Sequence, residues 1–233
     1  MGTFDLVPEV LREVPVFPLP GTVLLPRTMI SLHVFEPRYR AMMEACIEGA
    51  RLLAVAMFDE TGSPDEHGRP AIHPVAGIGA LRRSAKLPDG RYNIVLEGLA
   101  RVDISEEHPP TKTFRRATAR VLEDVVDDDP AALARSIASL RALCTRALSK
   151  SEGDDDGELL EGLAHVSEPG TLADLVAAAA VQDSLDRQRV LAEPNVLERV
   201  NLVAGALGAL LLTNDTPGGE PEAFGWGITP GEA

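Results

Sequence analysis

The residue periodicity of this chain switches once, near Glu123, and that switch confines it to a β-rich half followed by a helical half. Upstream, short apolar and alternating runs are punctuated by Gly and Pro. Downstream, Ala, Leu and charged residues recur at three- and four-residue spacing. Charge switches with texture. Residues 1–122 hold 15 Lys+Arg against 15 Asp+Glu and residues 123–233 hold 7 against 21, so the second half carries the entire net charge of −14. The expected fold class is α+β, with a β subdomain over 13–122, a helical bundle over 123–212 and a flexible tail over 213–233.

In the first half, Val14-Pro15-Val16-Phe17-Pro18-Leu19-Pro20-Gly21 alternates apolar residues with prolines that cannot donate to a central ladder, which predicts an edge strand ended by the Pro20-Gly21 turn. A further β segment, Val23 to Val34, is broken by Pro26. Glu36-Pro37 predicts a helix start, and Tyr39, Met42, Met43, Cys46 and Ile47 form one apolar face before Gly49 stops it. Leu52 to Phe58 is a continuous apolar run too short for a helix, so it reads as a strand buried on both faces. Residues 59–70 form a polar loop. Leu87-Pro88-Asp89-Gly90 is the turn of a hairpin, Gly98 marks a bulge, and Arg116 to Leu122 is the last strand.

Helical spacing covers residues 130–150, 156–166, 171–180, 182–192 and 194–212, with Pro130 and Pro194 at helix starts and Thr171 as a cap. The Asp127–Asp129 and Asp154–Asp156 runs lack the alternating ligands, glycine and distal Glu of a calcium loop, and read as solvated charge.

Composition removes several function classes. A chain this acidic repels phosphate backbones and anionic lipid, so nucleic acid and membrane are not expected partners. No basic n-region followed by an apolar h-region opens the sequence, so a secretory leader is not expected, and no charge-free apolar run reaches about 18 residues. Cys46 and Cys144 are too separated to suggest a disulfide framework and read as buried thiols of a reducing compartment, so a cytoplasmic location is expected.

Catalytic and cofactor motifs are missing. No G-x-x-x-x-G-K-S/T phosphate loop and no G-x-S-x-G nucleophile elbow occurs. Ser149 and Lys150 are adjacent, but successive helical residues point about 100° apart. His33, His67, His73, His108 and His165 are scattered without metal-ligand spacing. Gly77-Ile78-Gly79 has Arg82 where a dinucleotide fingerprint needs its third glycine, so strand-bending glycines are the better reading. No catalytic residue, metal site or cofactor is assigned.

Three segments, VPVFPLPGTVLLPRTMISLHVFEPRYRAMMEA, LLAVAMF and LPDGRYNIVLEGLARVDI, occur in an order that resembles the N-terminal substrate-binding domain of the Lon protease family. The later stretch TLADLVAAAA...RQRVLAEPNVLERVNLV is similar to the helical part of that domain, so the resemblance spans roughly residues 13–212. The FEPRYR form at 35–40 resembles the free-standing bacterial members. The resemblance implies a PUA-like β pseudo-barrel with one early helix, followed by an α-helical bundle. It implies a non-catalytic module that binds unfolded or extended polypeptide, with service to an ATP-dependent protease as a further expectation. Two other readings are RNA binding, which PUA-like folds also perform, and a small enzyme with an unrecognised pocket.

The candidate peptide-binding residues lie early. Phe17, Leu19, Leu24, Leu25, Met29, Leu32 and Phe35 crowd a stretch broken by Pro18, Pro20 and Pro26, so strict alternation cannot hide them all. Exposed apolar groups beside an unpaired strand edge would catch an extended chain. The competing reading makes them all barrel core. Glu36, Arg38 and Tyr39 complete the candidate set, although Glu36 can instead serve the helix dipole and Arg38 a fixed ion pair. A cleft between the halves, lined by the acidic bundle, would favour basic, apolar peptides.

Overall fold

The computed structural model describes residues 9–126, 128–149 and 162–214, and divides into two units at Glu123/Asp124. The first unit contains β1 (Val10–Leu19), β2 (Met29–Val34), α1 (Pro37–Glu48), β3 (Leu52–Met57), β4 (Val75–Lys86), β5 (Tyr92–Glu107) and β6 (Arg115–Val121). Its sheet runs in the order β2-β5-β4-β3-β1-β6, and an additional β5–β6 pairing closes five of the strands into a ring. The length of β5 makes this possible. Its first half, Tyr92 to Glu97, pairs with β2, while Val102 to Glu107 pairs with β6. Strand β2 is thereby left outside the ring.

Strand β1 is not an edge strand, contrary to the expectation from its prolines. It pairs antiparallel with β6 over Val10–Val16 and parallel with β3 over Val16–Leu19. Each half therefore has one ladder neighbour, and Pro15 and Pro18 sit where a missing N–H can be tolerated on the unpaired side.

Strand β3 explains its own unbroken apolar run. Leu53 and Val55 face a core shared with Met42, Met43 and Cys46 of α1, whereas Ala54 and Ala56 face a second core with Ala76, Ile78, Val102, Ala117 and Ala119. Alanines crowd the second core because it fills the narrow interior of the ring. Helix α1 starts at Pro37 and stops at Gly49, burying the Tyr39-Met42-Met43-Cys46 face.

Two glycines record a close approach. The segment joining β1 to β2 crosses the sheet so tightly that a Cβ on Gly77 would overlap the Leu24 carbonyl oxygen, and one on Gly98 the Leu25 carbonyl oxygen. Arg27 N–H donates to Gly98 O and Gly98 N–H donates to Thr28 O, both at 2.8 Å, fixing the crossing. The Gly77-Ile78-Gly79 sequence is thus a backbone-packing feature. The ladder also skips a residue between Gly98 and Ala100, the bulge expected there.

The second unit contains α2 (Pro130–Leu148), a helical turn at 162–165, α3 (Pro169–Ala180), α4 (Ser184–Ala192) and α5 (Val196–Asn214). Asp129, Asp183 and Asn195 side chains accept the N–H groups of Ala132, Asp186 and Glu198, capping α2, α4 and α5. Helix α3 begins at Pro169 with Glu168 at the cap position, three residues earlier than a Thr171 cap predicts, because Pro suits the first turn. By length and composition α5 is apolar enough to cross a membrane. Its Val200, Val203, Leu207 and Leu211 are nevertheless buried, and Arg199 is fully enclosed. The expected 156–166 helix start, Asp127, Lys150, the Asp154–Asp156 run and the tail beyond Asn214 lie outside the described residues.

Candidate functional site

Strand β2 is built by period-two alternation. Ile30, Leu32 and Val34 turn toward the core that contains Tyr39 and Met42, leaving Met29, Ser31, His33 and Phe35 on the opposite face. Each residue from Met29 to Val34 has a partner on β5, and no described strand in this unit pairs with the other edge. The result is a six-residue strand with a bare edge and two large apolar groups at its ends. Met29 is 61% exposed and Phe35 60%, which separates them from every other large apolar residue described in the first unit.

Polar neighbours fix this face. His33 Nδ1 lies 2.7 Å from Asn93 Oδ1 across the strand pair, and Arg91 Nη1 lies 3.3 Å from His33 Nε2. The His33 ring also stacks against Phe35, with centroids 6.2 Å apart and planes 23° from parallel. Arg91 is itself held by Asp89 at 2.6 Å. Phe35 is therefore presented on a braced imidazole, not on a free loop. Glu36 and Arg38 form an ion pair at 2.9 Å, with the guanidinium carbon 4.5 Å from the Tyr39 ring centroid. This is the fixed pairing that competes with partner contact, although both side chains remain partly exposed.

The candidate set is smaller than the sequence suggests. Phe17, Leu24, Leu25 and Tyr39 are buried core residues, so for these four the competing core reading holds and they leave the candidate surface. Leu24 and Leu25 are covered because their segment crosses Gly77 and Gly98, and Phe17 packs on Tyr39 with ring centroids 4.7 Å apart. Burial raises the Tyr39 phenol above its ordinary pKa, keeping it neutral. Leu19 and Leu32 are half-buried and pack against the same core. Ser31 and His33 join this face by the alternation of Met29, Ser31, His33 and Phe35, a signal present in the sequence, whereas Asn93 joins it only through the β2–β5 register.

A second polar group sits at the start of β1. His108 lies between Glu13 and Thr118, with Nδ1 3.0 Å from Glu13 Oε1 and Nε2 2.9 Å from Thr118 Oγ1, and Arg116 also pairs with Glu13. These contacts tie β1 to β6 where their ladder shifts register between Leu11 and Val14. Among the described residues no group of three or more His, Cys, Asp or Glu side chains converges as a metal site.

The family model for the ATP-dependent protease La (LON) substrate-binding domain matches residues 13–208. The Lon protease of Xanthomonas oryzae pv. oryzae is 30% identical over 201 residues, covering 85% of this chain and 23% of that protein. Lon protease 1 of Herpetosiphon aurantiacus is 28% identical over 205 residues, covering 86% and 24%. The chain thus spans about a quarter of the length of these curated relatives. Among solved structures, the N-terminal domain of Mycobacterium avium complex Lon protease superposes with a TM-score of 0.65 at 18% identity, covering 84% of this chain and 98% of that one. The Lon N-terminal domain protein from Xanthomonas campestris gives 0.60 at 20% identity with the same coverage. Those two likenesses establish the α+β fold, and the matched family model assigns the chain to the Lon substrate-binding domain family.

Proposed function

We propose that this substrate-recognition domain takes hold of unfolded or extended polypeptide along the free edge of β2. The observation that carries the reading is that edge, bare over six residues and flanked by exposed Met29 and Phe35. An extended chain laid beside β2 would satisfy the backbone N–H and C=O groups on its outer side, giving affinity that is indifferent to sequence. Apolar client side chains would then cover Met29 and Phe35, adding selectivity for segments that a folded protein hides. The arrangement suits clients marked by disorder.

On this reading the chain binds without cutting, and clients are passed to a separate ATP-dependent protease. Nucleic acid is not a ligand on the same reading, because the chain carries 36 acidic against 22 basic residues. The cytoplasm is the compartment it assigns, supported by two free, buried cysteines. The test is a titration of labelled, permanently unfolded polypeptide, read by fluorescence anisotropy. Saturable binding that weakens about tenfold or more when Met29→Asp and Phe35→Asp are combined supports the proposal; the same affinity in both proteins refutes it.

A further inference from the structure

A second opening in the first unit lies away from Met29 and Phe35. Where β1 begins, its ladder to β6 jumps from Leu11↔Ala119 to Val14↔Ala117, so one extra residue is accommodated between them. Glu13 adopts φ 58° there, a left-handed conformation that marks the bulge as specifically held. Beside it opens a cavity of about 360 Å³, within the range of small-ligand and side-chain sites.

The floor of this cavity is apolar. Leu11, Val14, Cys46 and Phe114 are buried residues that line it, with Ala45 and Ala50 at the end of α1 closing one side. Burial pushes the Cys46 thiol up to about 11, so the floor is an uncharged, unreactive surface near neutral pH. The rim has the opposite character. Arg12, Lys112 and Arg116 stand around it with Glu13 as the one carboxylate, and Glu13 is engaged by Arg116 and His108. Arg12 and Lys112 are exposed and have no carboxylate partner among the described residues. An apolar floor with an excess of two positive charges at its mouth selects a particular chemistry.

We infer that the pocket at the β1 bulge receives an apolar side chain of a bound polypeptide whose neighbouring Asp or Glu pairs with Arg12 and Lys112. The inference rests on the reading of the chain as a polypeptide-binding domain, and it gives the client a composition: acidic and apolar residues close together. That differs from the basic clients that the net charge of −14 would favour, because charge acts locally within about a Debye length of roughly 8–10 Å.

The test uses the full chain and two labelled peptides, one alternating Leu with Asp and one alternating Leu with Lys, titrated by fluorescence anisotropy at about 0.1 M salt, where that Debye length holds. The Leu/Asp peptide is expected to bind about tenfold tighter than the Leu/Lys peptide. Combined Arg12→Glu and Lys112→Glu should erase or invert that ratio. Ala45→Phe, on an exposed helical position, should plug the pocket and weaken the Leu/Asp peptide by a similar factor while the circular dichroism and melting temperature stay unchanged. The Met29→Asp, Phe35→Asp protein is titrated with unfolded polypeptide in parallel. If that protein loses the unfolded client while the Arg12 and Lys112 reversal leaves the peptide ratio intact, the β2 reading stands and the pocket inference is overturned. If neither peptide binds, or if Leu/Lys binds better to the unsubstituted chain, the pocket inference is overturned as well.

Discussion

Arg199 grips Asp124 with both ends of its guanidinium, Nη1 to Oδ1 at 2.9 Å and Nη2 to Oδ2 at 2.6 Å. The arginine is fully buried in α5, whereas the Asp124 side chain is 41% exposed at the first residue of the second unit. Nε of Arg199 also stands 3.6 Å from Asp174 of α3, and Nη1 donates to Glu193 O. Val125 N–H donates to Pro194 O and Val196 N–H to Val125 O, so the chain entering the bundle is clamped by both backbone and charge. Gly170 belongs to the same device, since a Cβ there would run into the guanidinium and the Asp124 carboxylate.

The two partners should not be equivalent. Arg199→Met removes a fully buried guanidinium together with its pairing to Asp124 and its approach to Asp174, and is expected to cost about 3–5 kcal/mol, the usual penalty for breaking a buried ion pair from one side. Asp124→Ala leaves Arg199 with Asp174 and the Glu193 carbonyl, and the lost carboxylate was partly solvated, so about 1–2 kcal/mol is expected. Urea unfolding of both proteins checks the order. A larger loss in Asp124→Ala would contradict it.

Glycines supply an internal control for packing. Gly77→Ala and Gly98→Ala force a methyl into a backbone carbonyl and should each destabilise by about 3 kcal/mol or more. Gly205 and Gly208 in α5 have open space where a Cβ would go, so alanine there should stabilise by about 0.5–1 kcal/mol through helix propensity. Thermal melts of the four single variants should show opposite signs for the two pairs; a Gly77→Ala or Gly98→Ala protein that melts no lower than the unsubstituted chain would contradict the crossing at Leu24–Leu25.

The loop before β4 should resist acid. Partial desolvation of Asp65 works toward a higher pKa, yet backbone and side-chain bonds from Arg69, joined by His67 N–H, bring it down to about 2. An unfolded Asp titrates near about 3.9. The folded value is the lower one, so the contribution is fully present above pH 4 and is lost as pH falls toward 2. The stability difference between the unsubstituted chain and Asp65→Asn, measured by urea unfolding, should therefore be largest near pH 6 and shrink between pH 4 and pH 2. A difference that grows on acidification would contradict the clasp.

Much of the fold is readable locally. The Leu52–Met57 run announces a strand buried on two faces, Pro37 and Gly49 bracket α1, and Leu87–Gly90 makes a turn with Gly90 at φ 83°. What sequence spacing misses depends on distant partners. Pro15 and Pro18 suggest an edge, but β1 exchanges neighbours halfway, from β6 to β3. Leu24, Leu25, Met29 and Phe35 are similar in apolar character, and only the crossing over Gly77 and Gly98 determines that the first two are covered. The bare edge of β2 is equally non-local, because it exists only once the far half of β5 closes on β6. The Arg12–Lys112 rim brings together residues far apart in sequence through the β1 bulge, which no short motif signals.

Amide hydrogen exchange across residues 29–35, with and without a saturating unfolded polypeptide, tests the β2 reading at the atoms it invokes. Client backbone pairing predicts slower exchange at the outer-edge amides of β2, while the interior of β3 is unchanged. Saturable binding with no added protection anywhere in 29–35 would contradict recognition through that strand.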